Sequence, residues 1–214
     1  MFKSDLKHLG TVQLPAFSGT RIMMMPFLLE DGSSIPADLF PWREFVEQLT
    51  KKAGAPEQGV AYLTIDEALI QAGDTQRRPG LHVDGIGPDG REGGWGGGGG
   101  WGTNGMIVAA SVAGCNVFAG DFQGYPGPNG DCAHLADECA SKQAVLLEAN
   151  QAYWLGPMTV HEVFPMKETI KRQFVRISMP SNAPWYEGYT ENPLGVKPTG
   201  PIHPARTEFM QFRA

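Results

Sequence analysis

From Leu81 to Met179 the chain is built of short segments rich in small and β-branched residues, cut apart by glycine- and proline-rich connections. Gly105 to Phe118, Ala144 to Leu147, Tyr153-Trp154-Leu155 and Arg172 to Met179 are the clearest of these segments. Many short strands joined by turn residues point to a closed or two-layered β architecture, a sandwich or barrel, with the jelly roll among the options. A chain of 214 residues is long enough for one sizeable core, or one core with a small appendage.

The flanks read differently. Thr20 to Leu29 is a buried strand by its apolar run. Asp38 to Leu49 spaces Trp42, Phe45, Val46 and Leu49 along one helical face. Ile65 to Ala72 is expected to form a second short helix, started by Thr64 or Asp66. The expected layout is one domain over 1–214, with strand and helix support in 1–75, the β core in 76–180 and an irregular tail in 181–214 rich in Pro, Gly and aromatics.

Composition excludes little and fits a globular protein: 42% hydrophobic and 19% charged residues. A net charge of −6 argues against a general grip on nucleic-acid phosphates, though not against a nucleobase in a local groove. Cys115, Cys132 and Cys139 are odd in number and lack zinc-site spacing, which suggests a reducing compartment. No basic leader opens the sequence and the Met23 to Phe27 run is too short to span a bilayer, so a cytoplasmic protein with no membrane partner is expected.

The chemistry is concentrated in His82-Val83-Asp84 and in His161. On a strand, residues two apart share a side, so His82 and Asp84 can face one metal while Val83 faces away. Two imidazoles and one carboxylate form a facial triad, which leaves three positions open on an octahedral Fe(II). His161 follows in Met158-Thr159-Val160-His161-Glu162-Val163-Phe164-Pro165, and Lys171 to Met179 comes next. On that strand Arg172, Phe174, Arg176 and Ser178 share one face, with Lys171 on the other.

Over roughly residues 78 to 180 this order of motifs resembles the Fe(II)/2-oxoglutarate-dependent dioxygenases, with an HxD…H triad followed by an Arg on a late strand. The His161-Glu162-Val163-x-Pro165 string looks most like prolyl-hydroxylase-like members. The resemblance implies a double-stranded β-helix with flanking helices and metal ligands His82, Asp84 and His161. It also implies 2-oxoglutarate as co-substrate, O2 as oxidant, and succinate and CO2 as products. Arg172, and alternatively Arg176 with Ser178 as an Arg-x-Ser pair, would meet the co-substrate carboxylates, a planar fork suiting a carboxylate better than an ammonium. Asn116 and Tyr153 are further candidates for contacts to co-substrate.

Substrate identity is open between a protein side chain, an amino acid or other small molecule, and a nucleobase. Candidate substrate contacts are Trp95 and Trp101 in the Gly/Trp run of residues 93 to 105, which could close as a lid, and Tyr125 in a second turn-rich loop. His134 sits among turn residues and is not expected to be a ligand. Two rival readings use the same residues. A cupin-like metalloenzyme would keep the triad without a use for inward arginines, and a non-catalytic jelly-roll module would use neither.

Overall fold

The computed structural model describes residues 1–86, 104–180 and 184–205. Its strands are β1 (Phe2–Ser4), β2 (Leu6–Thr11), β3 (Arg21–Leu28), β4 (Val60–Ile70), β5 (Met106–Ala110), β6 (Cys115–Phe118), β7 (Gly120–Phe122), β8 (Ala144–Leu146), β9 (Gln151–Leu155), β10 (Val160–Val163), β11 (Ile170–Ser178), β12 (Trp185–Tyr186) and β13 (Ile202–His203). Two α-helices accompany them, α1 (Phe40–Ala53) and α2 (Ala136–Ala140). The protein is mainly β, and its two larger sheets are antiparallel.

The larger sheet has six strands in the order β2-β9-β5-β11-β4-β3, and the smaller has the order β10-β6-β8. His82 adds a further rung to the small sheet by bridging His161 of β10. From β4 onward the chain therefore visits the large sheet, then the small one at His82, then β5, β6, β8, β9, β10 and β11. Apart from β7, which pairs with β1 in a separate two-stranded sheet, each strand from β4 to β10 except β6 is followed by a crossing between the two sheets.

Period-two alternation in the large sheet sorts its side chains into two layers. Ile107, Leu63, Ile65, Val175 and Ile177 face outward into a core completed by Trp42, Phe45, Val46 and Leu49 of α1. Those four helix residues are the ones the sequence spacing selects, and Gly54 ends the helix in the left-handed conformation at φ 64°. The opposite face of β5, β9 and β11 presents Met106, Val108, Tyr153, Leu155 and Phe174 to the small sheet. The site lies between these layers.

The helix expected over Ile65 to Ala72 does not form; residues 60–70 are one long strand, paired with β11 on one side and β3 on the other. Its polar residues are buried rather than displayed as a solvated helix face. Asp66 lies near Arg21 and Arg77 at 3.7 and 3.6 Å. Glu67 accepts from the Ser18 and Thr20 backbones and from Gln173 Nε2. Once those partners are supplied from elsewhere in the chain, a central strand can carry charged residues on its buried faces.

The C-terminal segment packs Trp185, Tyr186 and Tyr189 against Met23, Met24 and Tyr62. No helix among the described residues is long and apolar enough to cross a membrane.

Candidate metal centre

His82 and His161 occupy opposite positions of two antiparallel segments and exchange both backbone hydrogen bonds, at 2.9 Å and 3.0 Å. Directly opposed residues project to the same side of a ladder. Their rings accordingly lie with centroids 4.2 Å apart, tilted by 56°. On its other edge the His82 segment is held by Val83 N–H to Gly130 O and by Cys132 N–H to Leu81 O, both at 2.9 Å.

Gly130 is required there. A Cβ at that position would lie 2.0 Å from the Val83 carbonyl oxygen, and its φ is +71°. Gly85 is under the same constraint one residue past the triad, where a Cβ would meet Pro157 O at 2.6 Å. Neither glycine is distinguishable in sequence from the many turn glycines around it.

The imidazoles are oriented in the same way. His82 Nδ1 lies 2.7 Å from Gly80 O, and His161 Nδ1 lies 2.8 Å from Thr159 O, in each case the carbonyl two residues earlier. A carbonyl only accepts, so each Nδ1 carries the proton and each Nε2 offers its lone pair. Burial, reinforced by the neighbouring His161 ring, pushes the His82 pKa down to about 3, which keeps the His82 ring neutral and fit to ligate. Burial alone would raise the Asp84 carboxyl. The Arg176 guanidinium and the adjoining imidazoles of His161 and His82 outweigh it and hold Asp84 below its ordinary value.

The donor atoms of His82, Asp84 and His161 all lie within 4.8 Å of one another, and all three residues are buried. His82 Nε2 is 3.9 Å from Asp84 Oδ1, a span that one ion with bonds of about 2.1 Å can bridge. The residues thus fit a divalent metal with an N2O donor set.

A cavity of about 250 Å³ adjoins the triad. Met106, Val108, Leu147, Tyr153, Leu155 and Val163 give it an apolar wall, and Arg77, Arg78, Arg172 and Arg176, with the neutral Gln76 among them, give it a cationic one. Arg176 Nη1 stands 3.5 Å from Asp84 Oδ2. Arg172 sits four residues earlier on β11, about 13 Å further along the strand. Its Nε donates to Val112 O at 2.9 Å, and its Nη1 donates to Gln76 Oε1. Gln76 in turn donates to the Asp66 carbonyl at 2.7 Å, so the clamp on Arg172 is anchored in β4. Among the described residues no carboxylate lies within ion-pairing distance of Arg172, although it is only 3% exposed. Burial lowers its pKa to about 10, which still leaves it charged.

The remaining expected residues are placed less centrally. Ser178 is fully buried, does not line the cavity, and its Oγ has no hydrogen-bond partner. Asn116 donates to Glu162 on the side away from the cavity, whereas Tyr153 does line it. Tyr125 is 42% exposed, packs edge-on against Phe2 and is not part of the cavity wall. His134 is outside the triad and lies 2.9 Å from Tyr125 O through Nε2. Trp95 and Trp101 fall outside the described residues. Cys115 does line the cavity, but burial pushes its thiol up to about 12, so it stays protonated.

No protein-family model matches the chain, and no curated protein matches it. Two solved structures of the non-heme monooxygenase ThoJ, one a nickel complex and one apo, match at TM-scores of 0.30 and 0.32. Identity is 17% and 14%, over 69% of this chain in both cases. The match spans about half of each ThoJ chain, 54% and 56%.

Proposed function

We propose that this protein is an Fe(II)- and 2-oxoglutarate-dependent dioxygenase that hydroxylates its substrate and releases succinate and CO2. The observation that carries the reading is Arg172. A buried guanidinium is costly to leave without an anion. This one lines the cavity that holds the triad and, among the described residues, has no carboxylate within ion-pairing distance. A metal site alone has no need of it; a dicarboxylate bound between metal and Arg172 does.

Each residue then has a task. His82, Asp84 and His161 hold the ion by one face, and Arg176 keeps Asp84 ionised. Arg172 pairs with the far carboxylate of 2-oxoglutarate. Met106, Val108, Leu155 and Phe174 lie against its methylene groups and keep water out. Bound Fe(II) supplies the activation of O2 that no side chain here can provide. The balance is one C–H bond of substrate, one O2 and one 2-oxoglutarate converted to one C–OH, succinate and CO2. The path from β4 through His82 to β11 supports a double-stranded β-helix as the architecture, since it alternates between β4, β5, β9 and β11 of the large sheet and the His82 bridge, β6, β8 and β10 of the small one.

The test is an anaerobic titration of the metal-free protein with Fe(II) and then 2-oxoglutarate. The readout is the weak visible charge-transfer band of a chelated 2-oxo acid, measured in wild type, His161→Ala and Arg172→Ala. The reading expects a band that is absent in the first variant and needs far more 2-oxoglutarate in the second. Iron binding without a band would favour a cupin-like enzyme that does not use 2-oxoglutarate. No iron binding would leave a non-catalytic module.

A further inference from the structure

Met24 has an unusual backbone for a strand residue. Its φ is 55°, in the left-handed region that residues with a side chain enter rarely. It lies within the register shift between Ile22 and Met25, where β3 runs along β4, and it is fully buried. Such a conformation persists only where the surroundings impose it, and the positions where it does so gather at functional sites. Here the hold comes from two directions. Thr64 Oγ1 on β4 accepts the Met24 N–H at 3.2 Å and lies 3.1 Å from the Met24 sulfur. Trp185 Nε1, from the C-terminal segment, donates to the Met24 carbonyl at 2.9 Å.

At this bulge the thioether lies against Arg176, which in turn faces the candidate metal site. Arg176 Nη2 donates to Met24 Sδ at 3.2 Å, and Nη1 of the same guanidinium stands 3.5 Å from Asp84 Oδ2. We infer that Met24 is a positioning residue of the metal centre, its sulfur fixing the Arg176 guanidinium and, through it, the carboxylate of Asp84. The inference rests on the metal-centre reading above.

Sulfur suits this task for an electrostatic reason. A carboxylate at position 24 would compete with Asp84 for the cation, and a hydrocarbon would remove the acceptor that Met24 offers to Arg176 Nη2. A thioether is a weak, neutral acceptor. It can hold one N–H in place while the charge of Arg176 remains directed at Asp84.

The test uses the full-length metal-free protein titrated with Co(II), followed by its visible d–d bands, in wild type, Met24→Leu and Met24→Gln. Leucine keeps the volume and the backbone demand but removes the acceptor; glutamine returns one. The expected result is a loss of Co(II) affinity of about tenfold or more in Met24→Leu, the range seen when an outer partner of a ligand is removed. Shifted d–d bands and an unchanged melting temperature of the metal-free protein should accompany it, and Met24→Gln should recover most of the affinity. Wild-type affinity and spectrum in Met24→Leu would overturn the inference and leave the centre standing. A wild type that takes up no Co(II) would overturn the centre and the inference together. Should Met24→Leu not fold, Thr64→Val removes the hydroxyl that orients the sulfur; the same loss of affinity is expected, and its absence overturns the inference.

Discussion

Arg176 and Asp84 meet at 3.5 Å across the two sheets, which ties the last strand of the large sheet to the segment that carries the candidate metal ligands. Two arginines on one face of β11 thus differ in their partners. Arg176 stands against the Asp84 carboxylate, and Arg172, further along, donates to Val112 O and Gln76 Oε1.

Replacing Arg172 by Leu is expected to cost 2-oxoglutarate binding about 2–5 kcal/mol, the usual loss when one partner of a buried charge pair is removed. That is roughly 30-fold or more in affinity. Arg172→Lys should fall between, since it keeps the charge and loses the fork. Titration of the charge-transfer band gives both constants. Equal affinities in all three proteins would assign the co-substrate to a different cation.

The metal-free protein is expected to lose stability in mild acid because of His82. The unfolded chain takes up a proton at His82 near the ordinary value of 6.5, whereas the folded chain resists until about 3. Between those values the unfolded state binds more protons, so stability rises with pH. The contribution is complete above 6.5 and is lost as pH falls toward 3, with a slope approaching about 1.4 kcal/mol per pH unit. Thermal melts of wild type and His82→Gln from about pH 4 to pH 7 check it. The variant should show a flatter profile, and parallel profiles would acquit His82.

Gly130→Ala is expected to destabilise the protein by about 2–4 kcal/mol and to weaken metal binding with it. The added Cβ would strike the Val83 carbonyl, the strand segment between two of the ligands. Chemical denaturation and a metal titration on the same sample measure both effects. Loss of stability with intact metal affinity would show that the segment can shift without moving His82.

Leu49→Ala tests the opposite separation. Leu49 is 1% exposed in the helix-to-sheet core, away from the cavity wall. The truncation should cost about 2–5 kcal/mol and leave metal affinity of the folded fraction unchanged. A matching fall in affinity would mean that the outer core also sets the site's geometry.

The sequence made legible what depends on short periods. The face of α1 was readable from helical spacing, and the inward set of Arg172, Phe174 and Arg176 from strand alternation. The grouping of His82 and Asp84 followed from the same rule, and His161 joins them as the motif order implies. What was not legible depends on partners distant in the chain. Residues 65–72 read as a short helix capped by Thr64 or Asp66, and partners distant in the chain, Arg21 and Arg77 for Asp66 and Ser18, Thr20 and Gln173 for Glu67, make these acids tolerable in a central strand. Gln76, which clamps Arg172, lies 96 positions before it and belongs to no motif. Met24 sat inside an ordinary apolar run, and neither its backbone conformation nor its sulfur contact leaves a trace in composition.

The two imidazoles of the candidate metal centre are each steadied by a backbone carbonyl two positions upstream rather than by a neighbouring side chain. The aim of both rings is thus written into the path of the main chain. That path has its own demands: Gly80 sits at φ +81°, where a residue with a side chain is strained, and the buried Thr159 hydroxyl donates to Asp5 O. Where those demands are met, the pair is portable. A designed two-stranded ribbon that copies the register of residues 80–84 against 159–163 should point two histidines at a common spot with no further side-chain network to transplant, which makes this rung a compact starting piece for building metal sites into other sheets.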